Sequence, residues 1–181
     1  MKSTGVVRRI DELGRIVLPK EIRKNLKIKA GDSLEIFMND RDIVLSKYNV
    51  FDDKKDLFDM LANSVLGYTK KSFIITDTSR IVAGNKYLID KEISDDLDTL
   101  MFSRASKIGN KEISICPNVL SSHYCYSSIV SNSDVCGIVV IFDDDITNSD
   151  FELCKFVSKF IAKYLEEWCY EMFWKGKFRW V

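Results

Sequence analysis

The chain has 181 residues, 46% apolar and 30% charged, with one histidine and equal numbers (27 each) of basic and acidic side chains; this is the composition of a globular protein and excludes disordered and collagen-like classes. The charge is laid out unevenly. Residues 1–48 hold 11 Lys or Arg against 7 Asp or Glu, and the first 30 hold 9 against 3, so a positive field sits at the front, where it raises the rate of encounter with a polyanion.

Gly5 to Ile10 reads as a strand, Asp11-Glu12-Leu13-Gly14 as a turn, and Arg15 to Leu18 as a second strand. Pro19 suits the first position of a short helix, because its missing N–H has no partner there anyway. Ile22 and Leu26 lie one turn apart on that helix, with Lys20, Arg23, Lys24 and Lys27 on its other sides. Gly31-Asp32 forms a turn, Leu34 and Ile36 alternate with Ser33 and Glu35 as a strand, and Asn39 to Asp42 closes a hairpin onto Ile43-Val44-Leu45. A unit of about 48 residues is near the size at which a chain needs a metal, a disulfide or a partner to bury enough surface. Without cysteine or a metal cluster, oligomerisation is the remaining route, and an obligate dimer with a shared core is expected.

Past a polar junction at Asn49 to Lys55, Leu57, Phe58, Leu61 and Val65 recur at helical spacing up to Gly67. Strands are expected at Ser72 to Thr76 and Arg80 to Ala83, separated by Asp77-Thr78-Ser79, and then a helix from about Lys91 to Ser106. Three more strands follow, at Glu112 to Cys116, His123 to Val130 and Val135 to Phe142, the last two joined by Ser131 to Asp134. The run from Cys136 to Phe142 is the most apolar in the chain and is expected as a central strand buried on both faces. A closing helix from Asp150 to about Phe173 carries Leu153, Val157, Phe160, Ile161, Tyr164 and Trp168 along one stripe. No run reaches the roughly 18 apolar residues of a membrane span, and Met1 to Arg9 has no apolar stretch behind its charges, so a cytoplasmic location is expected.

The constellation with chemical content is Arg8, Arg9, Arg15, Arg23 and Lys24. Arginine forks suit guanine edges and phosphates, and a twofold dimer doubles the set. The stretch from Lys2 to Lys24, continued by Gly31-Asp32 and Leu34-Glu35-Ile36, closely resembles the AbrB-type transition-state regulators. That resemblance implies a swapped-hairpin barrel in which two chains interleave strands, and DNA contacts from Arg8, Arg15, Arg23 and Lys24. Lys24 stands where the family often has arginine, which fits a phosphate contact better than a bidentate base contact.

The order of elements in the second half resembles a GAF domain, and a head and body so joined are similar to transcriptional regulators of spore development. The expected fold class is α+β. A dimeric N-terminal swapped-hairpin β-barrel occupies residues 1–50 and a linker 51–56. A C-terminal GAF-like α/β sandwich with an antiparallel sheet takes 57–174, for regulation or oligomerisation, and a basic-aromatic tail 175–181. Expected partners are double-stranded DNA and further copies of the chain, as a homodimer or a dimer of dimers. Two rival readings are an antitoxin with a similar barrel head and a ligand sensor acting through protein partners.

GAF domains often hold small ligands. Asn85-Lys86 could open the motif of the cyclic-nucleotide binders, but the continuation expected at Phe102 does not follow, so a cyclic nucleotide is rejected and an unidentified ligand stays open beside a scaffold that only dimerises. No cofactor is expected. Cys116, Cys125, Cys136, Cys154 and Cys169 form no CxxC pair and read as buried thiols, with a redox sensor as the alternative. A lone His123 supports neither a histidine triad nor a multi-histidine metal site, and Asp143-Asp144-Asp145 reads as a solvated turn with a helix cap rather than a cation loop. No phosphate loop or nucleophile elbow is present, so no enzyme is expected. Trp168, Trp174 and Trp180, with Lys175, Lys177 and Arg179, give the C-terminus a basic-aromatic character that reads as a helix end and tail, an oligomer contact, or a membrane-surface contact.

Overall fold

In the computed structural model, residues 5–26, 28 and 34–174 are described, and the chain divides into two units, residues 1–49 and 50–181. In the first unit, α1 (Lys20–Asn25) precedes β1 (Leu34–Asn39) and β2 (Asp42–Lys47), an antiparallel pair that runs from Leu34 opposite Lys47 to Asn39 opposite Asp42. Asp40 makes the turn at φ 51°, a left-handed conformation that aspartate tolerates better than most residues. Pro19 lies just before the first helical residue, with ψ 147°. Gly31-Asp32 lies outside the described residues.

Residues 5–10 and 15–18, expected as strands, form no ladder among the described residues. A strand is defined by the neighbour that takes its N–H and C=O groups, and among the described residues no strand pairs with these arms. Among the described residues of this unit none is buried: Val7, Ile10, Val17, Met38 and Ile43 each expose more than half of their surface.

The second unit opens with α2 (Val50–Asp53) and α3 (Lys55–Thr69), followed by β3 (Ser72–Thr76), β4 (Ile81–Gly84) and α4 (Asp95–Phe102). Then come β5 (Ser106–Gly109), β6 (Ile113–Cys116), β7 (Val119–Ser121), β8 (Tyr124–Ser131), β9 (Asp134–Phe142) and α5 (Asn148–Trp174). Five strands form one antiparallel sheet in the order β4-β3-β9-β8-β5, and β6 and β7 form a separate hairpin. As expected, β9 is central and buried on both faces. Val139 and Ile141 join Phe58, Ala62 and Val65 of α3 and Cys154, Val157 and Ile161 of α5 in one core. Ile138, Val140 and Phe142, on the opposite face, join Leu97 and Met101 of α4 and Ile113 and Ile115 of β6 in another. Each Val, Leu, Ile, Phe or Met among them stabilises the fold by roughly 1.5–3 kcal/mol on full burial.

Two expectations are corrected. The segment read as a linker over 51–56 is helical and carries Phe51, 3% exposed, into the first core; its acidic composition hid that single aromatic anchor. The helix expected over 91–106 is confined to α4, because the Ser94 hydroxyl caps it by accepting from Leu97 N–H at 3.1 Å and Arg104 turns left-handed at φ 54°. The residues beyond it pair as β5, an edge strand whose exposure leaves little apolar alternation to read. The short β7 was also not expected.

Close approach of β3 and β9 depends on Gly137, where an added Cβ would lie 1.9 Å from the Thr76 carbonyl oxygen. The start of α5 is tied down by a reciprocal cap. Thr147 donates to Asp150 Oδ2 from its N–H (2.8 Å) and its hydroxyl (2.7 Å), and Asp150 N–H donates back to Thr147 Oγ1 (3.3 Å). Lys71 Nζ lies 2.8 Å from the same Oδ2, in a pair whose side chains are 20% and 9% exposed. Burial opposes ionisation of Asp150, but the hydrogen bonds from Lys71 and Thr147 outweigh it and hold the carboxyl below its ordinary value of 3.8. The bond to Asp150 likewise holds Lys71 above 10.5, against its own desolvation.

The pair's contribution is therefore complete between those two ordinary values. It is lost as pH falls through the depressed Asp150 pKa or rises through the elevated Lys71 pKa. Asp150→Asn is expected to cost about 1.5–3 kcal/mol at neutral pH, the range for a hydrogen bond to a charged group, and to flatten the acid limb of the stability profile. Urea denaturation followed from pH 2 to 7 checks both.

Candidate nucleic-acid interface

All five residues singled out for DNA contact lie in the first unit, and all five are exposed. Arg8 and Arg9 sit on the arm that enters the turn at Asp11, and Arg15 leaves it. Arg23 and Lys24 occupy the last turn of α1, a helix with no buried residue. The turn closes through Asp11 N–H donating to the Arg15 carbonyl and Gly14 N–H donating to the Asp11 carbonyl, each at 3.0 Å. Gly14, at φ 76°, takes the left-handed conformation that favours glycine.

Asp11 is the organising residue that the reading of basic side chains passed over. Its Oδ1 accepts from the N–H groups of Leu13 (3.0 Å) and Arg15 (2.8 Å), while its Oδ2 accepts from Arg15 Nε at 2.8 Å. The backbone N–H of Arg15 first, and its side chain next, hold the Asp11 carboxyl below 3.8. Pairing through Nε orients a guanidinium whose side chain remains 72% exposed. The signal was present as an aspartate four residues before an arginine, across a glycine turn.

In the second unit, the space between sheet, α4 and the β6–β7 hairpin is filled by core side chains such as Leu97, Met101, Ile115 and Tyr126. Asn85, considered as a ligand motif, accepts from Phe73 N–H through Oδ1 at 2.8 Å and so serves the fold. A surface cavity of about 430 Å³ is lined by Ser72, Glu112, Ser122, His123, Asp143 and Asp144, among others. His123 is exposed just before β8, and residues 143–145 are exposed before α5. Among the described residues no group of His, Cys, Asp or Glu is arranged to hold a metal, and no helix is long and apolar enough to cross a membrane.

Cys116, Cys125 and Cys154 are buried and Cys136 is half-buried, all as free thiols; burial pushes the Cys116 and Cys154 thiols up, away from the reactive thiolate. The Cys169 side chain and residues 175–181, with Lys175, Lys177, Arg179 and Trp180, lie outside what is described.

Residues 7–52 match the family model of the MazE bacterial antitoxin, described as antidote-toxin recognition, and residues 53–166 that of the stage V sporulation protein T C-terminal domain, described as a transcription factor. Stage V sporulation protein T of Bacillus subtilis (strain 168) is 35% identical over 92% of this chain and 100% of its own length. The transition state regulatory protein AbrB of the same organism is 36% identical over 54% of this chain and 85% of its own. In fold, the chain is similar to the crystal structure of the GAF domain from the Acinetobacter phosphoenolpyruvate-protein phosphotransferase. The TM-score is 0.50 and the identity 10%, over 67% of this chain and 85% of that one. With an AbrB-type head and a GAF-like body, the chain belongs to the family of stage V sporulation protein T.

Proposed function

We propose that the chain is a DNA-binding transcription regulator of sporulation genes. It grips double-stranded DNA as a homodimer or dimer of dimers through Arg8, Arg9, Arg15, Arg23 and Lys24. The observation that carries this reading is kinship over 92% of the chain with stage V sporulation protein T, joined to a head whose five basic candidates all face solvent. The head, residues 1–50, binds; the body assembles the heads, and its filled interior favours assembly over capture of a ligand between sheet and α4. The match of residues 7–52 to an antitoxin model favours a second reading, neutralisation of a toxin. Against it stands the body, which matches a transcription-factor family rather than a short disordered tail.

Fluorescence anisotropy with a duplex selected by the chain from a random pool tests the proposal. The logarithm of the binding constant is expected to fall linearly with the logarithm of salt, with a slope of about −0.9 per phosphate neutralised. Failure to select any duplex, together with tight binding of a protein partner through the head, overturns it in favour of the antitoxin.

A further inference from the structure

The turn between Arg9 and Arg15 carries two carboxylates, although a surface that meets a polyanion has no electrostatic reason to hold either. Its backbone is a β-turn followed by a left-handed glycine: Gly14 N–H donates to the Asp11 carbonyl, Asp11 N–H donates to the Arg15 carbonyl, and Gly14 stands at φ 76°. Glu12 and Leu13 are its two central residues and form the tip, both exposed, Leu13 by 74%. The two carboxylates differ in what is left of them. Asp11 is committed to the turn, with Oδ1 accepting from the N–H groups of Leu13 and Arg15 and Oδ2 from Arg15 Nε. Glu12 makes no ion pair or side-chain hydrogen bond among the described residues. Leu13 offers only an alkyl group, so the polar function presented at the tip is the Glu12 carboxylate.

We propose that Glu12 is a specificity-determining residue of the DNA interface, reading the amino group of a cytosine in the major groove beside the arginines that supply the grip. This rests on the DNA-binding reading above. An ionised carboxylate only accepts hydrogen bonds. Guanine shows two acceptors in the major groove, and thymine an acceptor beside a methyl group; both oppose it. Adenine sets its N6 donor next to the N7 acceptor, which opposes it as well, whereas cytosine shows the N4 donor alone. Phosphates repel the same charge: two like unit charges 4 Å apart in water interact by the equivalent of about a 5-fold change in affinity. Glu12 therefore weakens the grip on every duplex and regains the loss only where a cytosine meets the tip. Lower general affinity and higher discrimination come from one side chain.

The test uses the full chain with Glu12→Gln and Glu12→Ala as variants; the first central position of a β-turn accepts most residues, so neither threatens the fold. Wild type and variants each select duplexes from one random pool, and anisotropy is then read on the wild-type duplex with every position changed to each other base. Wild type is expected to favour cytosine at one position of each half-site by roughly 5- to 150-fold, the value of one good base contact. Glu12→Gln is expected to move that preference to adenine, whose N6 and N7 match the donor and acceptor of an amide. Glu12→Ala is expected to become indifferent there, and both variants to bind unrelated duplexes up to about 5-fold more tightly. Preferences at all other positions stay as in wild type. Unchanged base preference at every position in both variants overturns the assignment. Uniform weakening on all duplexes with a lowered melting temperature also overturns it, making Glu12 a structural residue of the head. A wild-type chain that selects no duplex overturns the DNA-binding reading itself.

Discussion

Alanine in place of Arg15 or of Arg23 is expected to weaken binding to the selected duplex by about 1–3 kcal/mol each, the cost of one lost bidentate base contact. Both side chains are exposed, so neither substitution empties a core, and a loss of affinity without a shift in melting temperature assigns the effect to the interface. Arg15 differs from Arg23 in being oriented by Asp11, so Asp11→Asn is expected to reproduce part of the Arg15→Ala defect. Lys24, a point charge without a fork, is expected to act uniformly across sequences and to reduce the salt slope by about 1 per lysine. Anisotropy on matched and single-mismatch duplexes separates these outcomes. Equal affinity of both arginine variants and the parent chain sinks the assigned surface.

The body was largely legible because its elements carry their own burial patterns. The apolar run of β9 reads directly as a strand between two cores, and of the four residues read at helical spacing on α3, Phe58 and Val65 are buried while Leu57 and Leu61 are half-buried. What escaped reading lacks such a pattern: β5 is an exposed edge, β7 has three residues, and α2 is announced by one phenylalanine in an acidic stretch. The candidate site divides in the same way. Clustered arginines are visible in one dimension, but the carboxylates that orient them depend on chain geometry. Asp11 meets Arg15 across a turn that brings its carboxylate onto the guanidinium four residues on.

The head is expected to have no stable folded monomer. It is a unit of about 50 residues, where a single chain rarely buries enough surface, and among its described residues none is buried. Val7, Ile10 and Val17 lie on arms without a ladder of their own, while Met38 and Ile43, cross-strand partners on the hairpin, lie open as well. A second copy that interleaves its arms would satisfy both wants at once, supplying strand partners to the backbone and apolar contacts to the side chains. Residues 1–50 produced as a fragment are then expected to sediment as a dimer. Their apparent unfolding free energy should rise by about 1.4 kcal/mol for each tenfold increase in concentration, the mass-action signature of folding coupled to association. A folded monomer whose denaturation midpoint ignores concentration would show the core to be complete within one chain. It would also leave Arg15 and Arg23 without the twofold repetition on which their reach across two half-sites depends, so the same measurement bears on the DNA surface as much as on the fold.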